Sequence, residues 1–168
     1  MEIRMATIQE LEKRIVYLEE TEAIRELKFL YGQVCDQGYD AETLTAMFTD
    51  DAEFHLTEKG KTQTSKGKEA IRERFLQMPK RIEFAAHYFV QQTKITVNEN
   101  TAKASWLMWA PQILAGGDAV FSSGIESDVY EKVNGKWLIK KVTLDVLFRA
   151  PYGKGWNNVS LVASPSAS

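Results

Sequence analysis

Near residue 80 the hydrophobic period of this chain changes from that of helices to that of strands and does not change back. Upstream, apolar residues recur every three or four positions. Downstream, long runs alternate in twos. Helices followed by consecutive antiparallel strands predict an α+β fold, with the helices segregated to one face of a strongly curved sheet. That arrangement encloses a conical cavity, a cone-shaped α+β barrel around one apolar pocket.

The helical half opens with Thr7-Ile8-Gln9-Glu10, a capping box in which the hydroxyl and the carboxylate satisfy each other's backbone donors. Ile8, Leu11, Ile15 and Leu18 then form a narrow apolar seam, as in a short coiled coil or on a helix docked against another subunit. Ile24, Leu27, Tyr31 and Val34 continue the face to Cys35 and Asp36, and Gly38 ends the run. A second helix is expected over 41–48, a turn at Thr49-Asp50-Asp51 and a strand over 52–56. The polar stretch 59–66 reads as a loop or a poorly buried ribbon. A third helix follows Gly67, with Ala70, Ile71, Phe75 and Leu76 as its buried face, and closes before Pro79.

Four strands are predicted over 83–98, 101–114, 119–132 and 136–149. Asn134-Gly135 is a strong hairpin signal because both residues tolerate positive φ, so the last three strands form a meander. Pro111 inside the second predicts a bulge or a strand end. The expectation is one domain over 1–160 with a disordered tail over 161–168.

Composition narrows the function. With 44% hydrophobic and 26% charged residues the chain has the balance of a globular protein. Net charge is −2 with both signs scattered, so the basic stripe of a nucleic-acid binder is missing; Lys140-Lys141 and the Arg72, Arg74 spacing read as solvated faces. No stretch reaches the ~20 apolar residues that cross a bilayer, and the mixed-charge N-terminus argues against a secretory signal. Cys35 is the single cysteine, which excludes an internal disulfide and a cysteine-based zinc site. A cytoplasmic protein without membrane or nucleic-acid partners is expected.

No glycine loop for a nucleotide and no Ser-centred nucleophile elbow is present. With two histidines and scattered carboxylates, neither a metal site nor an organic cofactor is expected. The chemically interesting groups are Tyr31, Asp36, His55 and His87. His87 shares strand parity with Phe89, Ile95 and Val97, so it points inward, as a proton acceptor near neutral pH or as a core histidine satisfied by a carbonyl. Asp36 lies at a helix C-terminus, where the dipole disfavours a carboxylate; it is a solvated turn residue or the partner that fixes the His87 tautomer. Tyr31 is a core aromatic or a hydrogen-bond donor to a leaving group. His55, between Phe54 and Leu56, is expected to face outward. Parity suggests Phe54, Phe89, Trp106, Met108, Phe121 and Leu147 as pocket walls. Trp156, in the glycine-hinged segment 151–156, belongs to a lid or a subunit-packing arm.

Glu22-Ala-Ile-Arg-Glu-Leu-Lys-Phe-Leu-Tyr31, Asp36, Met47-Phe-Thr-Asp-Asp-Ala-Glu-Phe54, the histidine strand and Gly135-Lys-Trp137 together resemble the SnoaL-like branch of the nuclear-transport-factor-two-like superfamily. The N-terminal stretch is most similar to the bile-acid dehydratases; Asp36 and His87-Tyr88 also resemble hexachlorocyclohexane dehydrochlorinase and scytalone dehydratase. The resemblance implies a homo-oligomer, a trimer ahead of a dimer. It also implies a cofactor-independent lyase in which a histidine at His87, paired with Asp36, removes a carbon-bound proton while Tyr31 assists a departing group, which is water, halide or, in a retro-aldol variant, a small carbonyl fragment. The substrate would be a hydrophobic ring compound. An isomerase or aldol cyclase using the same base, and a non-catalytic binding or partner domain, stay open. Two positions depart from the bile-acid enzymes: Trp109-Ala110 stands where they carry an acid, and Asp145, with Arg149 displaced, where they carry an arginine.

Overall fold

The computed structural model describes residues 6–154. The chain runs α1 (Ile8–Asp36), α2 (Ala41–Ala46), β1 (Phe48–Glu58), β2 (Lys61–Lys66), α3 (Lys68–Gln77), a 3-10 turn (Met78–Lys80), β3 (Ile82–Ala85), β4 (Tyr88–Gln91), β5 (Thr96–Asn98), β6 (Thr101–Leu114), β7 (Ala119–Val133) and β8 (Lys136–Pro151). The capping box forms as read, with Thr7 Oγ1 accepting from Glu10 N–H and Glu10 accepting from Thr7 N–H. Three helices pack on a curved, mostly antiparallel sheet of order β2-β1-β8-β7-β6-β3, with β4 and β5 also paired to β6. The sheet is a cone that does not close. Within it β1 lies parallel to β8, a pairing the long connection through β2, α3 and β3–β7 permits and the sequence pattern did not indicate.

Asn134 and Gly135 both take positive φ, at 50° and 79°, and lock the β7–β8 hairpin. α2 stops at Ala46, short of the expected 48, and Phe48 together with the expected turn Thr49-Asp50-Asp51 already belongs to β1. The polar stretch 61–66 is an exposed ribbon paired to β1.

Two strand predictions need correction. The run 83–98 is three short strands, because the chain leaves the β6 ladder at Ala86-His87 and again near Thr93. Pro111 makes neither bulge nor end: β6 pairs with β7 without interruption across it. Its carbonyl accepts from Ala86 N–H, in the gap between β3 and β4. In an extended residue N and C=O point the same way, so the missing proline donor faces that gap and costs the sheet no ladder bond.

The core sits between α1, α3 and the concave face. Phe75 of α3 meets Tyr31, Phe48 and Phe54 at ring-centroid distances of 6.3, 5.9 and 6.3 Å. Such edge and tilted contacts add about 0.5–1.5 kcal/mol per pair beyond area burial. Above this cluster, between the end of α1, α3 and β6–β8, the cone stays open.

Candidate functional site

The open part of the cone is a cavity of about 450 Å³. His87 and Phe89 form one side, Tyr31 and Tyr39 the helical side, and Met108 and Leu144 the sheet side. The last residue of α1 meets the β3–β4 break here. Asp36 Oδ1 lies 2.6 Å from His87 Nδ1, and the two carboxylate oxygens accept the His87 main-chain N–H at 2.9 and 3.0 Å. These donors offset the unfavourable dipole at the helix end. One carboxylate therefore ties down both the ring and the backbone that the break would leave unpaired.

A carboxylate on Nδ1 holds the proton there and leaves Nε2 as the acceptor on the cavity side, without a hydrogen-bond partner among the described residues. The imidazole side chain is 8% exposed. Phe89 stacks on it, with centroids at 6.1 Å and planes 10° apart, and Tyr39 meets it edge-on at 6.1 Å. The ring is thus fixed on both sides. Tyr31 is buried at the cavity wall; desolvation, and then the charges of Cys35 and Glu126, raise its pKa, so the phenol stays protonated and can act as a donor.

Three further groups were missed from sequence. Lys28 is fully buried and its Nζ binds Glu126 Oε2 and, at 2.9 Å, Asp128 Oδ2. Tyr130 donates to Asp128 Oδ2 at 2.8 Å, and Trp106 Nε1 donates to Tyr130 at 3.1 Å; Asp128 Oδ1 has no partner among the described residues. Glu126 itself lines the cavity. Burial pushes its carboxyl pKa up, the Lys28 charge works against this, and the Asp128 charge adds to it. Desolvation opposes the Lys28 charge, but Asp128 and Glu126 outweigh it and the net direction is upward. Lys28 Nζ also lies 4.3 Å from the Phe89 ring centroid, on the ring that stacks on His87. The signals were present: Lys28 shares a helix face with Ile24 and Tyr31, and Glu126 and Asp128 share inward parity with Ser122 and Tyr130.

The rim is basic. Arg149 lines the cavity, its Nε donating to Ser122 Oγ at 3.1 Å and its Nη1 lying 3.3 Å from Glu58. Arg74 is half-buried at the cavity with its guanidinium 4.4 Å from the Phe54 ring centroid, so the reading of Arg74 as a solvated face is corrected. Arg72, on the other side of α3, does meet solvent and pairs with Glu42.

Phe54, Phe89 and Met108 line the cavity, whereas Trp106, Phe121 and Leu147 do not. Trp106 is on the inner face but fully buried in the core beside Tyr130. Phe121 pairs across from Pro111, on the outer parity, and stacks on Trp109 at 5.3 Å. Leu147 is the extra residue of a β-bulge between Gly124↔Val146 and Ser123↔Phe148; it is 45% exposed, while Val146 and Arg149 face the cavity. Gly155 and Trp156, the end of the proposed lid, lie outside the described residues, as does the whole tail 161–168. Tyr152, where that segment begins, is exposed and packs on Phe121. His55 bonds to Thr64 and Glu53 away from the cavity, and Asp145 is exposed. Among the described residues no group of His, Cys, Asp and Glu is placed to hold a metal ion, and no helix is long and apolar enough to cross a membrane.

The fold has well-matched solved counterparts. A scytalone dehydratase-like protein of Novosphingobium aromaticivorans superposes with a TM-score of 0.74 at 20% identity, over 90% of this chain and 97% of that one. The type 3 hexachlorocyclohexane dehydrochlorinase of Novosphingobium barchaimii gives 0.69 at 20%, over 82% and 93%. An NTF2-like protein with a cystatin-like fold from Novosphingobium aromaticivorans gives 0.68 at 25%, over 86% and 92%. No curated protein matches the sequence. The sequence profile of the SnoaL-like domain matches residues 16–143, from the middle of α1 through the dyad to β8, and the chain belongs to that family.

Proposed function

We propose that this protein is a cofactor-independent lyase that carries out β-elimination on a hydrophobic ring compound. The observation that carries the reading is the 2.6 Å contact between Asp36 and His87 Nδ1, which leaves Nε2 on the cavity side as an acceptor without a partner among the described residues. Nε2 takes a proton from a substrate carbon, the C–H electron pair becomes the new double bond, and the group on the adjacent carbon departs with its own pair. Asp36 stabilises the imidazolium. Tyr31, kept protonated by burial, donates a hydrogen bond to the departing oxygen or halide. Phe89, Tyr39 and Met108 hold the reacting centre away from water. The dehydratase and dehydrochlorinase names among structures of the same fold are consistent with this chemistry.

A second reading, an isomerase or cyclase, draws on Glu126: a cavity carboxyl group with a raised pKa can return the proton at another carbon. One experiment addresses both. Wild type and H87A are incubated in deuterated water with a panel of ring alcohols and ring halides, and products are followed by NMR and mass spectrometry. Elimination predicts loss of water or halide, with turnover falling about 10²–10⁴-fold in H87A at unchanged melting temperature. Retention of every substituent with deuterium incorporated would favour the isomerase, and full turnover by H87A would remove His87 as the base.

A further inference from the structure

The charge pattern of the cavity rim is unbalanced. Of the two lining carboxylates, Glu58 is engaged by Arg149 and Glu126 by Lys28. Lys80, also at the rim, donates to Gln77 at 3.0 Å, a neutral acceptor. That leaves the guanidiniums of Arg74 and Arg81, both lining the cavity, without an ion pair or side-chain hydrogen bond among the described residues. Arg74 is the telling one. It projects from the same face of α3 as Ile71 and Phe75, is half-buried, and touches only an aromatic ring for compensation. Burial lowers its pKa, the Tyr31 side opposes that, and the Arg81 charge lowers it further, so the two cations feel each other. A half-withdrawn cation beside a like charge is unfavourable unless a counter-ion joins it. Arg forks are also suited to planar oxyanions.

We infer that Arg74 and Arg81 form an oxyanion subsite at the mouth of the cavity, so that the substrate is a ring compound carrying a carboxylate or phosphate at the end away from His87. This rests on the reading of the cavity as a small-molecule site and names the substrate class. The ring lies against Phe54 and Met108 and the anion remains at the rim, which fixes which end of the molecule reaches the base. Arg149 stays with Glu58 and Ser122 and is not needed for the contact.

The test is equilibrium binding of 2-naphthoate, 2-naphthyl phosphate and methyl 2-naphthoate to the full chain by calorimetry. At least one anion is expected to bind about tenfold or more tightly than the neutral ester, and to weaken at high salt. R74Q is expected to remove most of that preference and R81Q part of it, with ester affinity unchanged. Arg81 lies on an exposed turn, so R81Q is informative even if R74Q fails to fold. The tighter of the two anions identifies the group. If no anion binds better than the ester, including no binding by any probe, or if the preference survives both substitutions, the subsite is wrong. H87A is expected to keep the preference, so failure of the elimination and failure of the anion subsite are read separately.

Discussion

Asp36 carries two duties that different substitutions can separate. In D36N the side-chain oxygen still accepts the His87 main-chain N–H, but an amide does not stabilise an imidazolium and permits the wrong tautomer. Turnover is expected to fall about 10²–10⁴-fold with a small change in melting temperature. D36A removes the backbone acceptor too and is expected to lower stability by about 1–3 kcal/mol as well, read by denaturant unfolding. Glu20 is a purely structural case. The hydrogen bond from Lys132 lowers its pKa, partial desolvation opposes this, and the Trp137 N–H adds to the lowering. A depressed folded-state pKa gives stability that is present above the unfolded value and lost as pH falls through the folded one. E20Q should therefore be less stable than wild type at pH 7, by about 1 kcal/mol. The gap should narrow below about pH 4.5, as both proteins come to carry a neutral side chain. Equal gaps at pH 7 and pH 3 would contradict this.

At the scale of elements, Gly124 shows how the bulge shapes the wall. A Cβ there would stand 2.8 Å from the Asp145 carbonyl oxygen and 2.8 Å from Leu144 Cδ1. The first neighbour is backbone and cannot yield, so G124A is expected to cost about 1–3 kcal/mol in thermal unfolding. It should also weaken binding in the cavity that Leu144 lines. Two β8 irregularities explain a failure of sequence reasoning: strict alternation from Trp137 and Ile139 puts Leu147 inside, the shift between Tyr130↔Ile139 and Val129↔Lys141 turns Val142, Leu144 and Val146 inward instead, and the bulge at Leu147 returns Arg149 to the cavity. Period change, capping box and Asn134-Gly135 were legible because each is a local rule obeyed locally. The break at Ala86-His87 was not, since the acceptor that takes the His87 N–H there is a helix carboxylate 51 residues away in sequence. The contact between Asp36 and His87 was legible by residue type and resemblance. Lys28 and Glu126, 98 positions apart, show their partnership only once the sheet is folded.

For the whole molecule, the seam on α1 makes a prediction about assembly. Ile8, Leu11, Ile15 and Leu18 are 76, 46, 54 and 63% exposed, a row of aliphatic side chains that a lone chain would leave in water. We propose that it is covered by copies of the same chain, with a trimer expected. Light scattering should give a mass well above the 19.1 kDa of one chain, and I15E/L18E should reduce it toward that value with the fold intact. A wild-type mass equal to one chain would refute it.

The fold also distributes its tasks unevenly along the gene. The residues proposed to handle the proton, Tyr31, Asp36 and His87, are encoded in the first 87 codons, while much of the wall that decides shape, Met108, Glu126, Leu144 and Arg149, follows codon 100. Because one carboxylate fixes His87 through both its ring and its backbone, side chains of the later strands such as Met108, Leu144 and Arg149 can change without touching either contact, provided Glu126 and Asp128 still hold Lys28. A library diversified only beyond β5, screened against unrelated ring compounds, should yield altered selectivity from an inherited, unaltered base. Descent within such a fold can thus recruit new substrates by drift in one half of the chain alone.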